Sequence, residues 1–135
     1  MSSKLYTTKY GVKCWKTSDN LLHRVDGPAI VYPNGSEEWC RFGRLHRDGS
    51  PALIRADGTE VWFFNGRKHR MGGPAVTLPN GRKEWWEGGD LHRYDGPAVI
   101  NPDGSSLWYC RGEPYDPLVQ LLRAYDVQLQ SKIKI

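Results

Sequence analysis

The sequence predicts an all-β fold: an elongated single-layer antiparallel sheet of stacked β-hairpin repeats, followed by a C-terminal capping helix. The first observation is that the dipeptide His-Arg returns four times at a fixed step of 23 residues. A proline, a glycine and a tryptophan return at the same step and in the same phase, which defines a tandem repeat. The second observation is an Asn-Gly or Asp-Gly pair between two β-rich runs in every unit, which is a strong hairpin signal.

The repeats divide one domain, residues 1–135, into similar units. The four repeats cover residues 22–44, 45–67, 68–90 and 91–113. Residues 5–20 keep the spacing from Gly11 to Trp15 but are one residue longer before the next His-Arg pair. We interpret them as a degenerate N-terminal half-repeat, since the ends of repeat arrays differ from the middle.

The repeat pattern stops at Gly112, and residues 116–130 are predicted to form a helix. Asp116 is suited to the N-cap, and Pro117 to the first helical position. Five apolar residues then fall on one helical face: Leu118, Leu121, Leu122, Tyr125 and Leu129. We expect this helix to cap the last hairpin, and a helix presented to a partner is the alternative.

The hairpin turn sets the predicted register. A two-residue type I′ turn at Asn34-Gly35 would place Ile30 opposite Trp39. The equivalent pairs would be Leu53 with Trp62, Val76 with Trp85, and Val99 with Trp108. The residues that follow the tryptophans would face the other side of the sheet, and they are Cys40, Phe63, Trp86 and Tyr109. Both faces therefore carry large apolar groups, and one column is either covered or a binding surface.

The repeat unit resembles the MORN repeat family. Phe64-Asn65-Gly66-Arg67-Lys68-His69 carries the Asn-Gly-x-x-His join most clearly, and the resemblance covers residues 22–113. The unit departs from that family in having a single tryptophan where an aromatic-x-Gly-x-aromatic core is usual, and Arg after the joint histidine. The resemblance implies hairpins stacked into one long twisted sheet that binds or scaffolds proteins or phospholipid surfaces, without shared catalytic chemistry.

This variant of the unit is similar to small repeat proteins of bacteria and their phages. The resemblance implies a protein of the bacterial cytoplasm or of a phage-infected host cell, where such a module could inhibit a host defence protein. The formal net charge of +4 is slight, and no apolar run approaches the ~20 residues that span a membrane. We interpret Cys14, Cys40 and Cys110 as reduced thiols, because their number is odd and no pair has a metal-type spacing.

The His-Arg ladder is the candidate site for a nucleotide or another small anion, because guanidinium groups bind phosphates and carboxylates. Its residues are His23, Arg24, His46, Arg47, His69, Arg70, His92 and Arg93. The alternative is structural, with each His bonded to a backbone carbonyl and each Arg paired to the Asp of its own turn: Asp26, Asp48 or Asp95. Gly72 leaves Arg70 without such a partner. Equivalent histidines would lie about 10 Å apart, so we predict no metal site, and we predict no cofactor.

The function we expect is that of a non-enzymatic module that binds another protein, such as a bacterial host protein, through a sheet face. The expected contact residues are Phe63, Trp86, Tyr109, Arg41, Arg70 and Arg111. A homodimer through the same face is left open. Binding of an anion or of nucleic acid through the His-Arg edge is the alternative, and nucleic acid is disfavoured because acidic residues share the strands with basic ones. We expect no enzymatic activity, because no nucleophile, base and orienting group recur together.

Overall fold

A computed structural model describes residues 2–133 of the chain, with side chains placed through residue 130. Residues 1, 134 and 135 of the predicted domain lie outside the described part. The elements in chain order are β1 (Lys4–Thr7), β2 (Lys13–Lys16), β3 (Ile30–Val31), β4 (Glu37–Glu38), β5 (Cys40–Arg41), β6 (Arg44–Leu45), β7 (Leu53–Ile54), β8 (Glu60–Val61), β9 (Phe63–Phe64), β10 (Arg67–Lys68), β11 (Val76–Thr77), β12 (Lys83–Glu84), β13 (Trp86–Glu87), β14 (Asp90–Leu91), β15 (Val99–Ile100), β16 (Ser106–Leu107), β17 (Tyr109–Cys110), β18 (Glu113–Pro114) and α1 (Pro117–Ile133).

The hairpins form two rows. The main sheet has ten antiparallel strands in the order β1-β2-β3-β4-β7-β8-β11-β12-β15-β16, so each full repeat adds one hairpin to it. The second row consists of four separate two-stranded hairpins, β5-β6, β9-β10, β13-β14 and β17-β18. The predicted fold class, an antiparallel sheet of hairpin repeats followed by a C-terminal helix, is confirmed.

The main-sheet hairpins close through three-residue loops, so the predicted two-residue turn at Asn34-Gly35 is wrong. Tyr32 N donates to Ser36 O at 2.9 Å, and Gly35 N donates to Tyr32 O at 3.0 Å. Only Gly35 is left-handed, with φ of +92°. This is a type I turn followed by a left-handed residue, a common three-residue hairpin loop.

The longer loop shifts the strand register by one residue. Ile30 pairs with Glu38, and the predicted pair with Trp39 is not formed. The other predicted pairs with tryptophan are replaced by Leu53 with Val61, Val76 with Glu84, and Val99 with Leu107. Because the side-chain period of a strand is two, a one-residue shift moves every side chain to the other face.

The second row is where the two-residue type I′ turns occur. Phe42 and Gly43 have φ of +48° and +83°, and β5 and β6 pair directly on either side of them. The equivalent left-handed pairs are Asn65-Gly66, Gly88-Gly89 and Arg111-Gly112. Both central residues of a type I′ turn need positive φ. A left-handed conformation costs a residue such as Phe or Arg about 1–2 kcal/mol, so other contacts must hold these turns.

Each repeat tryptophan lies at the junction between the two rows. Trp39 N donates to Ala52 O at 2.6 Å, and His46 N donates to Trp39 O at 2.9 Å. The first hydrogen bond joins the tryptophan to the next unit of the main sheet, and the second begins the small hairpin. Strand β4 therefore ends before Trp39, and β5 begins after it.

The buried residues lie on both faces of the main sheet. We call the face that carries Ile30 and its row of direct partners the inner face, and Val61, Val76 and Val99 of this row are buried. The opposite, outer face carries the tryptophans. The alanine of every unit is completely buried, and these residues are Ala29, Ala52, Ala75 and Ala98. Each buried side chain stabilises the fold through apolar area removed from water.

The N-terminal unit repeats this design with one extra residue. Strands β1 and β2 are joined by a three-residue loop whose last residue, Gly11, has φ of +85°. Thr17 N donates to Leu21 O at 2.9 Å and closes a second three-residue loop, in which Asn20 is left-handed. Later units have a two-residue turn at that place, which accounts for the longer spacing before His23.

Helix α1 begins as the sequence predicts. Leu118 N donates to Asp116 Oδ1 at 2.9 Å, so Asp116 is the N-cap and Pro117 the first helical residue. The helix follows the last hairpin and ends the array. Its side chains from Leu118 to residue 130 are exposed, and Pro117 at its base is half-buried.

Candidate interaction surfaces

The arginines of the His-Arg ladder stack on the tryptophans of the outer face. Arg47 Cζ lies 3.7 Å from the centre of the Trp39 ring, which belongs to the preceding unit. The equivalent stacks are Arg24 on Trp15 at 3.9 Å, Arg70 on Trp62 at 4.0 Å and Arg93 on Trp85 at 4.0 Å. Each cation–π contact contributes about 0.5–2 kcal/mol, so the ladder joins neighbouring repeats.

Each ladder arginine also holds its own turn. Arg70 Nη1 donates to Pro74 O at 3.0 Å, and the other three arginines bind the equivalent proline carbonyl at 3.2 Å. Arg70, for which the sequence suggested no local partner, is therefore held by a ring and a carbonyl. The guanidinium also packs on the turn backbone, because a Cβ placed on Gly73 would lie only 2.8 Å from Arg70 Cζ.

The predicted Asp partners of the ladder are found in two of three cases. Arg93 Nε lies 3.3 Å from Asp95 Oδ1, and Arg24 pairs more loosely with Asp26 at 3.9 Å. The pairing of Asp48 with Arg47 is wrong, because Asp48 contacts Arg41 at 3.2 Å and His46 at 3.1 Å. Asp48 occupies the position after Arg47, where Asp26 and Asp95 are one residue further along.

The ladder histidines join each small hairpin to the next one. His46 Nδ1 accepts a hydrogen bond from Asn65 N at 3.0 Å, and Asn65 is the first left-handed residue of the following type I′ turn. The equivalent bonds, all at 3.0 Å, join His23 to Phe42, His69 to Gly88 and His92 to Arg111. An accepting Nδ1 places the proton of a neutral imidazole on Nε2. Burial lowers the pKa of His23 below its usual value.

The predicted anion-binding residues thus have structural partners, and anion binding at this edge stays a prediction. The guanidinium and imidazole groups line up along the array, one pair per repeat. Within residues 2–133, no three His, Cys, Asp or Glu side chains are close enough together to hold a metal ion.

The second predicted column, Phe63, Trp86 and Tyr109, lies half-buried on the inner-face side of the small hairpins. Lys68 Nζ lies 4.6 Å from the centre of the Trp86 ring, and Trp86 Nε1 donates to Glu84 Oε1 at 2.8 Å. Phe63, Lys68 and Trp86 line an open cleft of about 590 Å³ between neighbouring hairpins. Cys40 begins the column and is buried, which raises the pKa of its thiol to about 11.

The three arginines predicted to accompany that column differ in their relation to it, and Arg70 N donates to Trp86 O at 3.2 Å. Arg41 pairs across its hairpin with Arg44, and its side chain points to the other side from Cys40. Arg70 stacks on the outer-face tryptophan Trp62. Arg111 is an exposed residue of a left-handed turn. Phe63 and Trp86 thus line one cleft, while Arg70 has its backbone beside Trp86 and its guanidinium on Trp62.

The C-terminal end of the array differs from every other unit. Tyr115 and Asp116 occupy the positions that His and Arg have in the repeats, so Trp108 has no arginine stacked on it. Its ring meets Tyr115 edge-on, with the ring centres 6.1 Å apart. Trp108, Tyr109 and Tyr115 line a cleft of about 360 Å³ at the base of α1, with Pro117.

Helix α1 carries more exposed large apolar side chains than any other element of the described chain. Seven large apolar side chains are exposed on it: Leu118, Val119, Leu121, Leu122, Tyr125, Val127 and Leu129. The helix follows the last hairpin as the sequence predicts, and its apolar side chains are exposed on it. A monomeric soluble protein rarely leaves a continuous apolar patch uncovered unless it is functional.

Two carboxylates on the inner face are already paired. Tyr32 Oη donates to Glu38 Oε2, and this hydrogen bond raises the pKa of Tyr32 to about 12. Glu84 accepts from Arg82 Nε at 2.9 Å as well as from Trp86. Glu38 and Glu84 therefore act as hydrogen-bond acceptors for neighbouring side chains.

Comparisons with known proteins identify no family for this chain. No protein-family model matches it, and no curated protein matches it significantly. The resemblance to MORN repeats therefore stays a prediction, while the stacked hairpins that it implies are present in the structure. Within residues 2–133, no helix is long and apolar enough to cross a lipid bilayer.

Proposed function

We propose that this chain is a non-enzymatic protein-binding module that inserts helix α1 into an apolar groove on another protein. The observation that carries the proposal is the uncovered apolar stripe of α1 beside the open end of the aromatic column. The sheet face with Phe63, Trp86 and Tyr109 was the expected contact surface, and it adjoins the helix through Tyr109. The helix adds to that surface a continuous patch that the fold itself does not bury.

The spacing of the apolar residues is that of a groove-binding helix. Leu118, Leu121, Leu122 and Tyr125 stand at positions i, i+3, i+4 and i+7, which are the usual anchor positions of such helices. With Leu129 they cover about 100° of the helix circumference, which matches an apolar stripe made for a complementary surface. Val119 and Val127 lie outside the stripe.

The stability of the helix also calls for a partner. Helix α1 has 17 residues, only slightly more than the ~12–15 below which isolated helices are marginal in water. Most helical stability in proteins comes from burying an apolar face, which α1 does not do against the rest of the described chain. Binding would supply the missing contacts.

A different protein fits the helix better than a second copy of the chain. A coiled coil between two copies would need apolar heptads over at least three or four repeats, and the stripe from Leu118 to Leu129 spans less than two. A groove can accept the full width of the stripe and the aromatic residues at its base. The bacterial or phage setting, the cytoplasmic location and the inhibition of a host protein rest on the family resemblance and remain part of the proposal.

The test is site-specific photo-crosslinking in bacterial cells that produce the protein. A photoreactive residue at position 122, within the stripe, should give one discrete adduct with another protein. The same residue at position 127 is the control, because Val127 is exposed like Leu122, at 66% and 54%, but lies outside the stripe. Leu121→Asp in the same chain should remove the adduct without changing the thermal unfolding of the array.

Equal labelling from positions 122 and 127, or an adduct that survives Leu121→Asp, would contradict the proposal. An adduct with the mass of two chains would show that a second copy covers the stripe. Adducts from a probe at Trp86 but not from one at Leu122 would return the contact to the sheet face alone.

A further inference from the structure

The net charge of the protein is concentrated in its first hairpin. Residues 1–18 contain four lysines and no Asp or Glu, while the whole chain has 19 basic and 15 acidic residues. The remaining 117 residues therefore contain 15 basic and 15 acidic residues and have no net charge. The charge of +4 is thus a local feature of β1, β2 and the loop between them.

The lysines of this hairpin protect its open edge from non-specific pairing, but they have no acidic partner within it. Lys4 and Lys16 are direct cross-strand partners, so their side chains share one face. Like charges directly opposite each other destabilise a sheet. In the described part of the chain, no ion pair involves these two lysines, Lys9 or Lys13, and Lys9 lies 5.0 Å from the ring of Tyr10. Charge that is locally unfavourable and unpaired indicates a partner of opposite sign.

Strand β1 is the edge strand of the main sheet, and half of its backbone groups face outward. Trp15 N donates to Ala29 O at 2.8 Å, and its carbonyl accepts from His23 N at 3.0 Å. Both groups of Trp15 point away from β1, so Leu5 and Trp15 form a non-hydrogen-bonded pair. The N–H and C=O groups of Leu5 and, by the same alternation, of Thr7 therefore face the open edge.

The side chains of β1 suit an extended peptide. All four residues of the strand are exposed, and Leu5 and Tyr6 place apolar groups on opposite faces of the edge. A peptide strand added here would bond to Leu5 and Thr7, place acidic side chains near Lys4 and Lys16, and pack apolar side chains on Leu5 or Tyr6. Addition of a strand to an exposed edge is a common mode of peptide recognition.

We propose that the β1 edge binds an extended acidic segment of a partner protein as an additional antiparallel strand. Nucleic acid and anionic lipid share the opposite charge, but their phosphate oxygens only accept hydrogen bonds and would leave the outward C=O groups of Leu5 and Thr7 unused. The lysines are also divided between two faces and the loop, whereas a phosphate-binding surface would gather them on one side. The inference concerns a surface separate from α1 and does not depend on the groove proposed for it.

The test measures fluorescence anisotropy of a labelled eight-residue peptide that alternates glutamate and valine, with the full chain in low salt. We expect saturable binding that weakens at least tenfold in Lys4→Glu/Lys16→Glu. Thr7→Pro should weaken it by a similar factor, because it removes an outward N–H, and proline is tolerated on edge strands. Lys83→Glu, a charge change in the middle of the sheet, is the control and should bind like the wild type.

The peptide itself supplies a second test that needs no folded variant. Methylation of the amide nitrogens along one edge of the peptide should abolish binding, since one edge must bond to β1. Methylation along either edge without loss, equal affinity for single-stranded DNA or for vesicles of anionic lipid, or no binding of the peptide at 1 mM, on the order of the weakest specific affinities, would overturn the proposal. Leu121→Asp should leave peptide binding unchanged, so failure at this edge is distinguishable from failure at α1.

Discussion

Substitution of Gly96 by alanine tests whether the ladder arginines hold the repeats together. A Cβ on Gly96 would lie 2.7 Å from Arg93 Cζ, so the guanidinium must move away from the turn. Moving it weakens the stack on Trp85 and the hydrogen bond to Pro97 O. The backbone of Gly96 does not have positive φ, so alanine is strained there only by the arginine.

The magnitude follows from these contacts. A cation–π contact contributes about 0.5–2 kcal/mol, and a hydrogen bond from a charged donor about 1.5–3 kcal/mol. Because the Arg93 side chain is 25% exposed, we take the low ends and expect Arg93→Ala to cost about 2 kcal/mol. Gly96→Ala should cost about 1–1.5 kcal/mol, since alanine recovers about 0.4–1 kcal/mol by restricting the unfolded chain.

The assay is urea unfolding followed by tryptophan fluorescence, applied as a double-mutant cycle. In the Arg93→Ala background, Gly96→Ala should be neutral or stabilising, which gives a coupling of roughly 2 kcal/mol. Tyr94→Ala is the control, because this neighbouring side chain is 92% exposed and its loss should change stability by less than about 0.5 kcal/mol. Equal destabilisation by Gly96→Ala in both backgrounds would refute the packing of the arginine on the turn.

Three further predictions concern single residues. A thiol reagent at pH 8 should label exposed Cys110 within minutes and buried Cys40, with its pKa raised to about 11, only after unfolding; equal rates for the two thiols in the folded protein would contradict this burial. The pKa of His23 is lowered in the folded state, so its contribution to stability is complete above about pH 6.5 and is lost as the pH falls through the folded pKa. Urea midpoints should accordingly fall from pH 7.5 to 5.5, and less steeply in His23→Gln, whereas an unchanged slope would point to other groups. Arg111→Gly should raise the free energy of unfolding by about 0.5–1 kcal/mol, because glycine adopts the observed φ of +50° without strain; a lower midpoint in the same urea titration would show that the side chain stabilises its turn.

The repeat step predicted the architecture, but the turn assignment needed more than the Asn-Gly signal. Pro33 precedes Asn34-Gly35, and proline favours the second position of a type I turn. That signal was present in three of the four units, at Pro33, Pro79 and Pro102, and it would have predicted the observed loop. Since the register depends on loop length, a loop longer by one residue replaces every predicted cross-strand pair with a tryptophan by a different pair.

Asn65-Gly66 and Gly88-Gly89 are pairs that type I′ turns favour, but the same turns at Phe42-Gly43 and Arg111-Gly112 could not be predicted from local preferences. Phe42 and Arg111 are poor residues for a left-handed position, and the sequence alone marks these places only as breaks. Each is fixed by a histidine 19 residues earlier that accepts a hydrogen bond from its N–H. A long-range contact of this kind outweighs local propensity, and the regular spacing of His is the only trace of it in the sequence.

The candidate surfaces were predicted in part. The aromatic column follows from the alternation of side chains along a strand. The one-residue change in register affects the strand before each tryptophan and leaves the alternation after it unchanged. The arginines are expected there as usual interface anchors, but the guanidinium of Arg70 stacks on Trp62 of the outer face. The exposure of α1 depends on whether a helix folds back, which helical spacing does not determine.

Trp108 meets Tyr115 instead of an arginine, and this change marks the last unit of the array. Every other repeat tryptophan carries the stacked arginine of the following unit. Tyr115 and Asp116 end that series, because they replace the His-Arg pair. Duplication of any internal 23-residue unit would supply both the tryptophan and the arginine of each new contact between units. It would leave the two ends of the array unchanged. The main sheet would gain two strands and would become about 10 Å longer across its strands. Such a protein would therefore lengthen by duplication while keeping its lysine-rich hairpin and its helix, and the distance between its two proposed binding surfaces would grow in fixed increments.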